Sequence, residues 1–204
     1  MARLDHIMFA STDLARGISE IADLTGVEPA VGGAHPGMGT RNALLSLGTD
    51  QYLEIIAPDP DQKIEGTLGE ELISHGGSGV RAWAVAAADL TLKREIATQQ
   101  GLSPQPLIEM NRTTPQGVRL DWQIMFVAGH PLLPFFINWK QSPHPAQNTP
   151  AGCTLSGFTV TTTDHSAFKA RMSALGIEVS VVEGDNGLSA ELATPSGPVT
   201  LAGW

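Results

Sequence analysis

LDHIMFASTDLARGISEIADLTG (residues 4–26) is the first of three stretches that follow one pattern and predict the fold. VRAWAVAAADLTLKREIATQQG (residues 80–101) and LSGFTVTTTDHSAFKARMSALG (residues 155–176) are the other two. Each passes from an apolar, strand-like segment through a few Thr or Ala residues to an Asp, and continues with apolar residues at helical spacing. Because one supersecondary unit recurs, the sequence predicts a protein built from repeated modules.

The ends of the three predicted helices carry matching residues. An Asp stands at each N-cap position, where its carboxylate can accept hydrogen bonds from the free N–H groups of the first turn. A Gly follows each helix, where a left-handed C-cap residue is expected. The Asp residues are Asp13, Asp89 and Asp164, and the Gly residues are Gly26, Gly101 and Gly176. Strand-like segments follow each helix, so each module is predicted to be βαβββ.

The predicted fold class is therefore α+β with three βαβββ modules. Residues 1–60 and 79–142 form the first two modules, and we expect them to make one domain over residues 1–142. Residues 153–204 form the third module. The Pro-rich segment 142–152 is predicted to be a linker with exposed side chains, His144 among them. A third module without a partner in the chain is expected to pack outside the other two or to join a homodimer interface.

Composition limits the classes of partner. The formal net charge is −9 and Lys and Arg are not clustered, which argues against nucleic acid because phosphate binding needs a positive surface. No apolar run approaches the roughly 20 residues that cross a bilayer, so no membrane partner is expected. The single cysteine, Cys153, excludes an intrachain disulfide and is typical of a reducing compartment. With a strand predicted near the N-terminus and no signal region, a cytoplasmic location is predicted.

Four local sequences, together with the repeated module, resemble the vicinal-oxygen-chelate superfamily of glyoxalases, bleomycin-resistance proteins and extradiol dioxygenases, and in particular its glyoxalase-like domain branch. They are LDHIMFASTD (residues 4–13), GGAHPGMGTRNALLSLG (residues 32–48), QYLEIIAPDP (residues 51–60) and GHPLLPFFINW (residues 129–139). The resemblance implies that two modules pair and that their curled sheets form an open bowl. It also implies a metal ion held by the first and last strand of each module.

In the first module the resemblance assigns His6 and Glu54 as metal ligands. Imidazole and carboxylate suit a divalent transition ion, and zinc, nickel, manganese and iron(II) remain equally compatible. Strand alternation is expected to turn one face of each strand toward the bowl. On the first strand this face comprises Leu4, His6 and Met8, and on the last strand Tyr52, Glu54 and Ile56.

The second and third modules depart from the ligand pattern. The position that corresponds to His6 is Ala82 in the second module and Gly157 in the third, and neither can bind a metal. The last strand of the second module offers Asn138, whose amide oxygen is an uncharged and weak ligand. Two interpretations stay open: an incomplete metal site filled by water, or a cavity that binds an organic ligand with no metal cofactor.

The glycine-rich segment around His35 supplies further candidates. His35 is expected to be a metal ligand or proton donor, and the competing interpretation is an exposed His in a flexible connector. Arg41 and Asn42 follow it and are expected to bind a carboxylate or carbonyl group of a substrate. We also expect Asn138 to help orient the substrate.

The predicted function is that of a glyoxalase-like enzyme of the lyase, isomerase or dioxygenase type. Its substrate would be a small molecule with vicinal oxygens, such as a dicarbonyl or a catechol. Glu54 would act as the general base, and the divalent ion held by His6 and Glu54 would stabilise an enolate. The alternative is a metal-free protein of the same fold that binds or sequesters a small molecule.

Overall fold

The computed structural model describes residues 2–113 and 117–204, in which strands predominate. The elements run in this order: β1 (Arg3–Ser11), α1 (Leu14–Thr25), β2 (Ala30–His35), β3 (Thr40–Ser46), β4 (Tyr52–Pro58), α2 (Leu68–His75), β5 (Ser78–Ala86), α3 (Leu90–Gln99), β6 (Ser103–Pro104), β7 (Ile108–Thr113), β8 (Arg119–Met125), β9 (Val127–Ala128), β10 (Phe135–Asn138), a 3-10 turn (Pro145–Asn148), β11 (Thr154–Thr162), α4 (His165–Ala174), β12 (Ser180–Glu183), β13 (Gly187–Thr194) and β14 (Gly197–Leu201).

The first two modules join in one eight-stranded sheet with the order β2–β3–β4–β1–β5–β10–β8–β7. In the first module β1 pairs in parallel with β4, the last strand, and Met8 lies opposite Glu54. In the second module β5 pairs in parallel with β10, and Ala84 lies opposite Phe135. The predicted pairing of two βαβββ modules is thereby confirmed.

An antiparallel contact between β1 and β5 joins the two halves. His6 lies opposite Ala84, and Met8 lies opposite Ala82. This register relates the halves by a local two-fold rotation in which His6 corresponds to Ala82 and Glu54 corresponds to Phe135.

The third module has the predicted order of elements but a different sheet. Its strands form a separate four-stranded sheet in the order β12–β11–β13–β14. The first strand, β11, therefore lies between β12 and β13, whereas β1 and β5 each lie beside the last strand of their own module. The helix start also differs, because Asp164 makes no N-cap hydrogen bond and instead pairs with Arg171, while Asp13 and Asp89 cap α1 and α3 as predicted.

The main hydrophobic core lies on one face of the large sheet and extends into the third module. Ile7, Leu53 and Trp83 belong to the same buried cluster as Phe158 and Leu192. The rings of Trp83 and Phe158 are 5.2 Å apart between centroids. The third module thus packs on the outer face of the sheet, and the opposite face is left to line a cavity. In the described part of the chain, none of the helices is both long enough and apolar enough to cross a membrane.

Candidate functional site

A partly enclosed cavity of about 100 Å³ lies on the inner face of the large sheet. The first half of the sheet gives it most of its polar wall, made of His6, His35, Asn42, Tyr52 and Glu54. The predicted orientation of β4 is correct, because Tyr52, Glu54 and Ile56 all face this cavity.

The second half of the sheet gives the same cavity an apolar wall with one charged side chain. Its lining side chains are Met110, Arg112, Trp122, Ile124, Phe126, Phe135, Ile137 and Trp139. Such a wall can enclose the apolar body of a small molecule and keep water away from the polar groups opposite.

A β-bulge in β1 places two neighbouring polar side chains together. The pairing of β1 with β5 shifts between Leu4 and His6. Leu4 packs against the main core on the outer face, so its predicted position in the bowl is wrong. Because the bulge interrupts strand alternation, Asp5 lies next to His6 and hydrogen bonds to it.

Asp5 is a buried carboxylate surrounded by three ring N–H donors. His6 Nδ1 lies 2.7 Å from Asp5 Oδ1, Trp139 Nε1 lies 3.1 Å from Oδ2, and His144 Nε2 lies 3.2 Å from Oδ2. Burial by itself raises the pKa of Asp5, but the hydrogen bonds and positive charge of His144 and His6 outweigh it and lower the pKa to about 2. The carboxylate is therefore ionised at neutral pH, where it accepts the Nδ1–H of His6 and leaves Nε2 facing the cavity.

The carboxylate of Glu54 faces the ring of His6 and also meets groups from β2 and β3. His6 Nε2 lies 3.6 Å from Glu54 Oε2, and His35 Nε2 lies 3.5 Å from Glu54 Oε1. Asn42 Nδ2 donates a hydrogen bond of 2.6 Å to Oε1. One carboxylate oxygen is thus held by Asn42, and the other faces His6 across a gap wider than a hydrogen bond.

The hydrogen bonds of Asn42 define its orientation and that of His35. The N–H of Gly33 donates to Asn42 Oδ1 at 3.0 Å, so Nδ2 points toward Glu54 and His35. Nδ2 lies 3.1 Å from His35 Nε2, which must accept, so His35 Nδ1 carries the proton and contacts Thr40 Oγ1 at 3.0 Å. Burial lowers the pKa of His35, which favours this neutral form. In this arrangement His35 orients Asn42.

Two of the predicted substrate-binding residues lie outside this cavity. Arg41 precedes Asn42 on β3 and, by strand alternation, lies on the other face, where it lines a separate surface depression. Asn138 lies on the same side of β10 as the buried Phe136, and its amide donates to the carbonyl of Ala88 and accepts from the N–H of Lys140. The residue that corresponds to Glu54 in the second half is Phe135, not Asn138, because Phe135 holds the matching register position.

Sequence reasoning missed Asp5, Arg112, Trp139 and His144. The prediction that His144 is exposed is wrong, since only 11% of its side chain is exposed and it contacts Asp5. The segment 142–152 is part of the site, because its Ala146 packs against Leu44 and Tyr52. The adjacency of Asp5 and His6 was a usable signal for Asp5, since carboxylate–imidazole pairs are common at active sites.

The donor set fits only part of a metal centre. His6 Nε2 and Glu54 Oε2 have the chemistry and spacing of two ligands of one ion, and the hydrogen bond of Asp5 to His6 Nδ1 is typical of a metal-bound histidine. Within residues 2–113 and 117–204, however, no group of three or more His, Cys, Asp or Glu side chains is arranged to hold an ion. Asn42 directs N–H groups, not its oxygen, at Glu54 and His35.

A family model described as a glyoxalase-like domain matches residues 4–182, and the chain belongs to this family. A hypothetical protein from Staphylococcus aureus has a TM-score of 0.70 at 16% identity, over 100% of this chain and 89% of that protein. A single-residue variant of methylmalonyl-CoA epimerase from Streptomyces coelicolor, in complex with 2-nitronate-propionyl-CoA, has a TM-score of 0.52 at 22% identity, over 69% of this chain and 96% of its own.

A hypothetical protein from Bacillus halodurans C-125 has a TM-score of 0.52 at 18% identity, over 69% of this chain and 96% of that protein. At these identities the solved structures share the fold. The match to the glyoxalase-like domain model confirms the resemblance to the vicinal-oxygen-chelate superfamily, to which methylmalonyl-CoA epimerase also belongs. No curated protein matches the chain.

Proposed function

We propose that the protein is an enzyme of the isomerase or lyase type that moves a proton next to a carbonyl group of a small molecule with vicinal oxygens. The supporting observation is the pair formed by His6 Nε2 and Glu54 Oε2, which face each other across 3.6 Å at the wall of an apolar cavity. A proton donor and a proton acceptor at this spacing can act on two neighbouring atoms of one bound substrate.

Glu54 is the general base of the proposed reaction. Its Oε2 takes the proton from the carbon beside the carbonyl, while Oε1 stays hydrogen bonded to Asn42. His35 holds Asn42 through its Nε2 and thereby keeps the carboxylate in position. Because a fixed carboxylate needs no rearrangement during the reaction, this second layer of hydrogen bonds lowers the barrier to proton transfer.

His6 is the electrophile of the proposed reaction. A proton on its Nε2 is donated to the oxygen that becomes negative as the carbon loses its proton. Asp5 fixes the ring by accepting the Nδ1–H and stabilises the positive charge of the imidazolium. The proton on Glu54 then returns to the substrate at the same or a neighbouring carbon, while the substrate O–H gives its proton back to His6 Nε2 and the carbonyl re-forms. The net reaction relocates one proton and leaves the enzyme unchanged.

The test is the exchange of carbon-bound hydrogen with solvent. 1-Phenylpropane-1,2-dione has vicinal oxygens, an aromatic body and a methyl group beside a carbonyl, and its methyl signal in D₂O can be followed by proton NMR. We expect the protein to accelerate the loss of this signal and Glu54→Gln to lower the acceleration by about 100-fold or more. The matched control is Glu109→Gln, at an exposed glutamate that pairs with Lys140, which we expect to leave the rate unchanged.

Calorimetry separates this function from simple binding. A protein that binds the diketone without accelerating exchange, and whose affinity is the same in Glu54→Gln, would be a binding or sequestration protein. That outcome would contradict the enzymatic proposal and support the metal-free binding alternative.

A divalent ion at the same position is the second candidate, and the hydrogen bond between Asp5 and His6 Nδ1 favours it. His6 Nε2 and Glu54 Oε2 would hold the ion, which would supply Lewis-acid polarisation of a substrate oxygen. Elemental analysis of untagged protein beside a folded His6→Ala/Glu54→Ala variant tests it. A near-stoichiometric transition metal that the double variant lacks supports a metal enzyme, and exchange activity that survives treatment with a chelator contradicts it.

A further inference from the structure

Among the described side chains of the second half that line the cavity, Arg112 is the charged one. It lies on β7, an edge strand of the large sheet, and lines the cavity. Its guanidinium packs against Gly32 and Gly33 of β2, the other edge strand. A Cβ added at Gly32 would lie 3.2 Å from Arg112 Nη1, and a Cβ added at Gly33 would lie 3.4 Å from the same atom. The absence of side chains at Gly32 and Gly33 therefore makes room for the arginine where the two ends of the sheet meet.

Within residues 2–113 and 117–204, Arg112 has no ion pair and no hydrogen bond from its guanidinium, although it is half-buried. Arg16, Arg41 and Arg94 also lack ion pairs in the described part of the chain. Arg16 and Arg94 lie at exposed helix positions where water solvates them, and Arg41 lines a separate depression outside the cavity. The carboxylates of the cavity are engaged elsewhere, Asp5 by three ring N–H groups and Glu54 by Asn42. Arg112 is thus a cation beside an apolar cavity that no carboxylate of the site neutralises.

The charge of Arg112 reaches the polar groups of the cavity. Burial is the largest cause of the lowered pKa of His35, and the positive charge of Arg112 lowers it further. In an environment poor in water, a guanidinium binds an anion more strongly than it does at an exposed surface. A single guanidinium matches the single charge and planar shape of a carboxylate.

We infer that the substrate carries a carboxylate that binds Arg112 while its carbonyl end faces Glu54 and His6. This inference rests on the proposed function and names the substrate class of the same cavity: a keto acid with an aromatic or other apolar body. Trp122 and Phe135 of the second half contact that body. The substrate carboxylate lies beside Arg112, where β2 and β7 meet, and the reacting carbon lies at the polar wall of the first half.

The experiment compares an acid with its neutral isostere by calorimetry. The probes are 4-oxo-4-phenylbutanoate and 4-oxo-4-phenylbutanamide, which differ in charge and share the aryl ketone. We expect the protein to bind the acid about tenfold or more tightly than the amide, because a charge-assisted contact is lost in the amide. In Arg112→Gln we expect the two affinities to become equal.

Three further variants make the result specific. Arg119→Gln removes the same charge one strand away, where the guanidinium pairs with Asp121 outside the cavity, and should keep the full preference for the acid. Arg112→Lys keeps the charge and should retain part of the preference, which guards against an unfolded Arg112→Gln protein. Glu54→Gln should still prefer the acid, so that loss of turnover and loss of carboxylate binding remain distinguishable.

Equal affinity for acid and amide in the unmodified protein would overturn the inference. A folded Arg112→Gln protein that still prefers the acid to the amide would also overturn it. So would an unmodified protein that does not bind the acid at millimolar concentration.

Discussion

The two halves of the large sheet have the same strand order but present opposite chemistry to the cavity between them. On β1 and β4 the first half carries His6 and Glu54, and at the corresponding positions of β5 and β10 the second half carries Ala82 and Phe135. The backbone pairing of the two modules therefore depends on the strand pattern, and it tolerates apolar side chains at the positions of His6 and Glu54.

The asymmetry also has a functional consequence. A carboxylate and an imidazole are effective when water is excluded from them, and apolar side chains of the second half exclude it. Phe135 contacts His6 directly, with ring centroids 5.4 Å apart. The half without reactive groups therefore contributes to the proposed chemistry by enclosing the half that has them.

Substitutions at the two corresponding positions should show the largest difference between the halves. We expect Glu54→Gln to lower the rate of hydrogen exchange of the aryl diketone by about 100-fold or more, because the proposed base is lost. Phe135→Leu keeps an apolar wall and should change that rate by less than about tenfold. Rates measured by NMR at matched protein concentration decide the matter, and similar losses in both variants would show that the halves do not differ as proposed.

A smaller effect is expected from neighbouring glycines of β2. A Cβ at Gly32 would lie 2.3 Å from Asn42 Oδ1, whereas a Cβ at Gly33 would meet only Arg112, at 3.4 Å or more. Gly32→Ala should displace Asn42 from Glu54 and reduce exchange about tenfold or more, since small misplacements of catalytic groups are costly. Gly33→Ala should reduce it less. If the two variants have equal rates, the support of Glu54 by Asn42 is unimportant.

Asp5 links the halves, since it binds His6 of the first and Trp139 of the second. Its pKa is lowered from 3.8 to about 2, so the stability it contributes is present above pH 3.8 and is lost as the pH falls toward 2. This contribution amounts to about 2 kcal/mol of unfolding free energy.

Denaturant unfolding at several pH values tests that contribution. Between pH 4 and pH 2, the unfolding free energy of the unmodified protein should fall by about 2 kcal/mol more than that of Asp5→Asn. The exposed Asp23 provides the control, and Asp23→Asn should follow the unmodified protein. If the unfolding free energies of Asp5→Asn and the unmodified protein change equally with pH, the ionised Asp5 carboxylate does not make this contribution.

The smallest effect is expected at Asn138, which the family resemblance placed at the site. Its amide bonds the carbonyl of Ala88 and the N–H of Lys140 and does not line the cavity. Asn138→Ala should lower the unfolding free energy by about 1 kcal/mol and change the exchange rate by less than about twofold. A large loss of the hydrogen-exchange rate without a loss of stability would show that Asn138 takes part in the site.

Much of the first half could be predicted from the sequence. The alternation of Tyr52, Glu54 and Ile56 gave the inward face of β4 directly, because a strand in a regular ladder has a period of two. The same rule was wrong for Leu4, because a bulge between Leu4 and His6 interrupts the period of two. The residue types at these positions do not predict a bulge.

The second half was harder to predict, because its functional groups depend on register and on long-range contacts. Asn138 and Phe135 lie on one short strand, and only the pairing of Ala84 with Phe135 identifies which of them corresponds to Glu54. Arg112 belongs to no recognisable motif, and its place at the cavity depends on the contact of β7 with Gly32 and Gly33 of β2.

The modules could be read from the sequence, because helix caps, apolar periodicity and strand alternation are local properties of the chain. The candidate pair His6 and Glu54 came from the resemblance of short local sequences to a known superfamily. The groups that meet that pair depend on tertiary contacts. Asp5 reaches His6 through a bulge, and His144 joins them from a segment about 140 residues away in the chain. The physical reason is that a buried carboxylate takes whichever donors the packing of distant segments brings to it.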